Sequence, residues 1–195
     1  MAFQRKGSGS KDSGPSRAYG EKRYKERAPR EQTPKEYTPD EWREKARTLI
    51  LNKLTRGPRS RFQLAQAMEK REIPLDISEE LLDRFTEVGL IDDAAFAKAF
   101  AHDRRANRGL SKAALKRELS NVGVEQQLIQ DALEEIDPVQ ELELAIQLVS
   151  KRWNSVKNLD WQARQRRLSG FLGRRGFGGS VVSVAIKTVE NQEQA

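Results

Sequence analysis

Apolar residues recur at helical spacing in three groups about fifty residues apart, and this repeat restricts the possible folds more than any other feature of the chain. The first helix of each group carries a small landmark residue, which is Ala46, Ala97 or Ala145. In the second helix of each group, three apolar landmark residues are separated by four and then by five positions. They are Leu64, Met68 and Ile73; Leu115, Leu119 and Val124; and Leu168, Leu172 and Phe177. Unrelated helices rarely reproduce such offsets. The sequence therefore predicts three tandem units of three helices each.

Local start and stop signals agree with this division, and strand-like alternation of apolar residues is nearly absent. Residues suited to begin a helix are Thr38 with Glu41, Ser60 with Gln63, Asp92, Ser111 and Asp137; glycines suited to end one are Gly57, Gly89, Gly109, Gly123 and Gly176. We predict an all-α fold of about nine short helices, in units at 38–91, 92–137 and 138–195. Because one three-helix unit has little core of its own, the units should stack into an elongated, curved array. The alternative is a single helical bundle whose periods agree by chance.

Residues 1–37 differ in composition from the rest of the chain. They are rich in Gly, Ser, Pro and charge, hold ten Lys and Arg against five Asp and Glu, and account for +5 of the formal charge of +7. Such a segment cannot bury enough apolar surface to fold, so it is predicted to be a disordered basic tail. Its tyrosines, Tyr19, Tyr24 and Tyr37, could stack on nucleic-acid bases. A solubilising leader without specific contacts is the alternative.

Charge is sorted by helix in the remainder. The segment 75–93 has seven acidic residues and one basic, and 125–143 has seven acidic and none basic, whereas 104–117 has six basic and no acidic residues. Stacked units would turn this pattern into a basic stripe that neutralises a phosphate backbone or docks on an acidic protein. A merely solvated face is the alternative for any single residue. The predicted binding residues are Arg104, Arg105, Arg108, Lys112, Lys116 and Arg117 in the second unit, and Arg164, Arg167, Arg174 and Arg175 in the third.

Catalytic, metal and cofactor sites find little support. The chain has no cysteine and one histidine, His102, which lies almost opposite the apolar face set by Phe96, Ala97 and Phe100 if this segment is helical. The glycines of 173–179 lack the lysine and the preceding strand of a phosphate-binding loop. We therefore expect no enzyme, no metal and no cofactor. No apolar run is long enough for a membrane span, so we expect a cytoplasmic protein without membrane contact.

A string of residues from the end of the first unit through the second is typical of one protein family: Gly89 to Asp93, Phe96-Ala97, Phe100-Ala101, Arg105, Gly109, Leu115, Glu118-Leu119 and Gly123-Val124. It resembles the central signature of the RecX family of recombination regulators. In the third unit, Arg166 to Leu168, Phe171-Leu172 and Arg174 to Phe177 are similar to the C-terminal end of that family. The resemblance covers roughly residues 40–190. Within it, Glu72 of the first unit stands where the other units have Gly123 and Gly176.

The resemblance implies a non-enzymatic, cytoplasmic protein that binds the filament of the RecA recombinase on single-stranded DNA. Members of this family lie in the filament groove, damp ATP hydrolysis and strand exchange, and take part in DNA repair and control of the SOS response. We expect a monomer whose basic side reaches DNA while its acidic side meets protein. The alternative function is a nucleic-acid-binding helical-repeat protein with no sequence specificity and no recombinase partner.

Overall fold

The structure is a computed structural model that describes residues 37–193, and within this range it contains nine α-helices and no strand. The helices are α1 (Pro39–Leu54), α2 (Arg61–Glu69), α3 (Leu75–Glu87), α4 (Asp93–Arg108), α5 (Lys112–Asn121), α6 (Gln126–Leu133), α7 (Pro138–Trp153), α8 (Trp161–Gly173) and α9 (Gly179–Gln192). Packing between helices is concentrated within α1–α3, α4–α6 and α7–α9, here called repeats 1, 2 and 3. The predicted all-α fold of three-helix units is confirmed.

The helices begin where the local side-chain chemistry directs. Thr38 and Ser60 each form a capping box, in which the hydroxyl accepts from the third helical N–H and the residue at that position accepts from the cap backbone. Asp92, Ser111 and Asp137 also accept backbone N–H groups at the starts of α4, α5 and α7. All five predicted caps are confirmed. The cap of α8, Asp160, was not predicted.

Each repeat has its own hydrophobic core. The landmark residues Ala46, Ala97 and Ala145 are completely buried. The second-helix landmarks of all three repeats are also buried, and the buried side chains separate into three clusters that coincide with the repeats. A single repeat therefore holds more core than the sequence suggested. As a result, contacts between repeats do not have to supply most of the apolar burial.

Repeat 3 is longer than the others because of the segment between α7 and the middle of α8. α8 has 13 residues, whereas α2 and α5 have 9 and 10. The connection before it is anchored by Val156, which is 2% exposed and packs in the core beside Trp153. This insertion explains why Ala145 and Leu172 lie 27 residues apart, whereas the corresponding spacing in repeats 1 and 2 is 22.

The predicted tail lies outside the described residues except for Tyr37. The Tyr37 ring packs on Trp42 with the centroids 4.6 Å apart, and Lys45 Nζ lies 4.2 Å and 4.3 Å from the two centroids. A nucleic-acid base that stacked on Tyr37 would have to compete with these contacts.

Candidate polyanion-binding surface

A polar joint connects repeats 1 and 2. The Ser60 hydroxyl, at the start of α2, donates a 2.6 Å hydrogen bond to the Val122 carbonyl at the end of α5. The Arg61 N–H donates to Asp93 Oδ1 at 2.8 Å, and burial raises the pKa of this carboxyl group although the hydrogen bond opposes the shift. These bonds connect the first turn of α2 to both α5 and α4. The joint is therefore held by specific hydrogen bonds as well as by packing.

Equivalent elements join repeats 2 and 3. The Ser111 N–H, at the start of α5, donates to the Arg175 carbonyl at 3.0 Å, just beyond the end of α8. The next N–H, that of Lys112, donates to a carboxylate oxygen of Glu141 in the first turn of α7 at 3.4 Å. The second helix of one repeat thus begins against the second and first helices of the next. The joint, like the core, is a repeated feature.

Glycine allows the close approach at both joints. Gly123 and Gly176 have φ angles of 75° and 87°, in the region that favours glycine. A Cβ added at Gly123 would lie 2.2 Å from Cγ of Phe62, and one at Gly176 would lie 2.7 Å from both Ala114 Cβ and Ser111 Oγ. Glu72 adopts a similar φ of 56° but is exposed, and no described repeat packs on it. The glycines are therefore required for contact between repeats, which explains why Glu72 can replace glycine in repeat 1.

Two of the predicted binding residues hold backbone carbonyls next to the second joint, Arg105 across the joint and Lys112 at the end of repeat 2. Arg105 Nη2 donates to the Gln140 carbonyl at 2.9 Å, and burial lowers the pKa of its guanidinium despite the nearby carboxylates of Glu141 and Asp137. Lys112 Nζ donates to the Ile136 carbonyl at 2.8 Å. Both cations thus have partners within the chain.

Arg104 and Arg108 converge on one carboxylate. Arg104 Nε lies 3.3 Å and Arg108 Nη1 2.8 Å from the oxygens of Glu118, which is on α5. The Arg104 guanidinium also lies 4.7 Å from the centroid of the Phe100 ring. These contacts partly neutralise the end of α4, and they orient both side chains along the surface of the protein.

Arg164 forms an ion pair inside repeat 3. Its Nε lies 3.1 Å from Glu190 Oε1, and the two side chains are only 17% and 15% exposed. The guanidinium also lies 5.2 Å from the Trp153 ring centroid. A charge held this way connects α8 to α9, so Arg164 is positioned as a structural residue.

Arg175 lies among other cations at the second joint. Its Nε donates to the Arg108 carbonyl at 3.0 Å, and its guanidinium stacks 3.9 Å from the Phe171 centroid. Burial lowers the pKa of Arg175, and the positive charges of Arg152, Arg174 and Arg108 lower it further. Arg152, which was not predicted as a site residue, also stacks on Phe171 at 4.8 Å. Its position is set by tertiary packing that no local sequence signal marks.

Four predicted residues remain available to an external anion. They are Lys116, Arg117, Arg167 and Arg174. Their side chains are exposed and form no hydrogen bond or ion pair with any described residue. We call them the open quartet. They belong to α5 and α8, the second helices of repeats 2 and 3, or follow α8 directly.

His102 is also exposed, on the α4 surface, as its position in the helix predicts. No helix in the range 37–193 is both long and apolar enough to cross a membrane.

Comparison with known proteins assigns each repeat. Family profiles described as the first, second and third three-helix domains of RecX match residues 46–85, 92–133 and 139–186. The chain is 45% identical over 150 residues to a protein of Streptomyces coelicolor named Regulatory protein RecX, covering 76% of this chain and 80% of that one. It is 43% identical over 137 residues to the Regulatory protein RecX of Thermobifida fusca, covering 70% and 74%.

Solved structures share the fold. The crystal structure of RecX from Lactobacillus salivarius superposes with a TM-score of 0.68 at 19% identity, covering 77% of this chain and 98% of that one. A second crystal structure of a regulatory protein RecX gives 0.66 at 23% identity, covering 77% and 73%. With three matched domains and relatives above 40% identity over most of its length, the chain belongs to the RecX family of regulatory proteins.

Proposed function

We propose that this protein binds the RecA filament on single-stranded DNA and inhibits its ATP hydrolysis and strand exchange. It acts as a non-enzymatic monomer in the cytoplasm, in recombinational repair and control of the SOS response. The observation that carries the proposal is the open quartet, because these charges have no partner in the described part of the chain. Membership of the RecX family supports it independently.

The division of roles among the basic residues follows from their contacts. Arg105, Lys112, Arg164 and Arg175 hold helices or joints together, so their side chains position the surface and are not free to reach out to a phosphate. The open quartet provides the charge that meets phosphates. Each phosphate contact releases condensed counterions, so binding through the quartet weakens as salt rises.

The acidic third helices supply a second surface. α3 exposes Glu79 and Glu87, together with Glu80 and Asp83, which pair with Arg43 and Arg61. α6 exposes Asp131 and is followed by the exposed Glu134 and Glu135. Carboxylates are repelled by a phosphate backbone but complement a basic protein surface. In the proposed complex these helices face the recombinase, and the second helices of repeats 2 and 3 face DNA.

The proposal is tested by adding the protein to RecA-coated single-stranded DNA and following ATP turnover and strand exchange. We expect both activities to fall at micromolar protein, with less inhibition as salt is raised. Binding to bare DNA is measured in parallel under the same conditions. Tight binding to bare DNA without any effect on RecA would favour the alternative, a nonspecific nucleic-acid-binding repeat protein.

A further inference from the structure

The structure contains a second cationic region in repeat 1, outside the predicted binding residues. A groove of about 330 Å³ lies between the C-terminal half of α1, the loop that follows it, and α2. Four basic residues line it: Lys53, Arg59, Lys70 and Arg71. Two glutamines, Gln63 and Gln66, add amide groups that can donate or accept hydrogen bonds.

This groove lacks compensating negative charge. Its lining residues, all of them described, include no carboxylate, and the structure gives the four cations no ion pair or hydrogen bond to the described part of the chain. The contrast with Arg104 and Arg108, which share Glu118, is clear. Four like charges around one concavity repel each other until an anion enters.

Helix dipoles account for only part of the arrangement. Lys53 lies in the last turn of α1 and Lys70 at the C-cap of α2, where a cation offsets the partial negative charge of a helix end. Arg59 and Arg71 lie outside the helices and still line the same groove. Moreover, Arg59 Nε is buried without a hydrogen-bond partner in the structure. An unpaired buried donor is costly, and a ligand acceptor that reached it would remove the cost.

We propose that this groove of repeat 1 is a phosphate-binding site that takes a phosphate ester of about nucleotide size. Arginine and lysine bind the phosphate oxygens, and the glutamines contact the rest of the ligand. A volume of about 330 Å³ is too large for a lone phosphate and is at the lower limit for a small-molecule site. Arg59 and Gln63 also line an adjoining groove at the joint of repeats 1 and 2, which Glu118 lines as well, so the proposed site is confined to the groove of repeat 1. The site does not depend on binding to RecA.

The test uses the full-length protein without recombinase and a pair of matched variants. Lys70→Gln/Arg71→Gln removes two exposed charges from the groove, whereas Arg47→Gln/Arg84→Gln removes two exposed charges elsewhere in repeat 1. Binding of a short fluorescein-labelled oligothymidylate is followed by anisotropy at several salt concentrations. Loss of two contacts should flatten the slope of log affinity against log salt by about 1.4 and weaken binding about 20-fold near 0.1 M salt.

Competition identifies the source of the phosphate. ATP and tripolyphosphate are titrated against the labelled strand, and their direct binding is measured by calorimetry for each variant. If the protein binds only the strand, and the groove variant loses this binding, the site recognises nucleic-acid phosphodiesters. If the protein also binds ATP or tripolyphosphate, and the groove variant loses that binding, the site recognises free phosphate compounds. Lys53→Gln/Arg71→Gln provides a second groove variant if the first has a changed melting temperature. Equal affinities of the groove and control variants for every probe would overturn the proposal, whatever the outcome of the RecA assay.

Discussion

Replacing Gly123 by alanine tests whether the joint between repeats 1 and 2 is as closely packed as the structure indicates. An alanine Cβ would lie 2.2 Å from Cγ and 2.3 Å from Cβ of Phe62. The Phe62 Cβ is attached directly to the backbone, so rotation of the ring cannot relieve the overlap. The start of α2 and the end of α5 must therefore separate, which strains the Ser60 to Val122 hydrogen bond.

Two costs contribute to the expected loss of stability. Placing a Cβ at φ 75° costs about 1–2 kcal/mol, and overpacking a close contact adds about 1–3 kcal/mol, so Gly123→Ala should lower the free energy of unfolding by about 2–5 kcal/mol. Gly89→Ala is the matched control, because Gly89 has a φ of 72° and no atom within 4 Å of an added Cβ. The control should lose about 1–2 kcal/mol only.

The assay is urea unfolding followed by helical circular dichroism for both glycine variants. A third protein combines Gly123→Ala with Phe62→Gly, which removes the clashing atoms. Its free energy of unfolding should be about 1–3 kcal/mol higher than the sum of the two single effects predicts. If Gly123→Ala is no less stable than Gly89→Ala, or if the Phe62 background recovers nothing, the close approach at the joint is refuted.

Two further predictions concern polar groups at the same joint. Ser60→Ala removes a helix cap and leaves the Val122 carbonyl without its donor, so it should lower the free energy of unfolding by about 2–4 kcal/mol. Ser111→Ala removes mainly a cap and should lower it by about 1 kcal/mol. Similar losses for the two variants in urea unfolding would contradict the contact between Ser60 and Val122. Asp93→Asn keeps an oxygen for the Arg61 N–H and removes the charge. Because burial raises the pKa of Asp93, the folded protein takes up this proton more readily than the unfolded chain, and the wild type should gain stability relative to Asp93→Asn as pH falls from about 7 towards about 4. A difference that does not change with pH in that range would show that the carboxyl group is not desolvated.

The fold could be predicted because its determinants are local or periodic. A cap such as Thr38 or Asp92 acts within three residues of itself, so the sequence shows both partners. The repeated landmarks, such as Ala97 and Leu119, are buried because helical period places them on one face. Asp160 was missed since the extra turn of α8 shifts the helix start away from the repeat pattern.

The joints could not be predicted, because their partners are distant in sequence. Ser60 and Val122 are separated by 62 residues, and neither residue type indicates the other. Sequence showed that Gly123 and Gly176 lie at corresponding positions, but only the structure shows what approaches them. The tolerance for Glu72 has the same explanation, since the structure shows that this position is exposed.

The contacts of the basic residues could be predicted from the sequence only in part, and their role in binding stays a prediction. Basic composition along α4, α5 and α8 was visible, but the ion pair of Arg164 with Glu190 depends on how α9 packs on α8. In repeat 1, Lys70 and Arg71 stand between Glu69 and Glu72 in the sequence, so charge counting hides them. In the structure Lys70 and Arg71 line the groove and these two glutamates do not, which is why the proposed phosphate site is visible only there.

The proposed action of the open quartet on the RecA filament is tested by a titration of RecA ATPase activity on single-stranded DNA with two charge-matched variants. One variant replaces the quartet, Lys116, Arg117, Arg167 and Arg174, with glutamine. The control replaces four other exposed basic residues, Arg47, Arg84, Lys98 and Lys187. We predict that the wild type and the control variant inhibit ATP hydrolysis equally, and that the quartet variant requires at least about tenfold more protein because it has lost several phosphate contacts. Equal inhibition by both variants would show that the quartet does not bind the filament, and no inhibition by the wild type would contradict the proposed function.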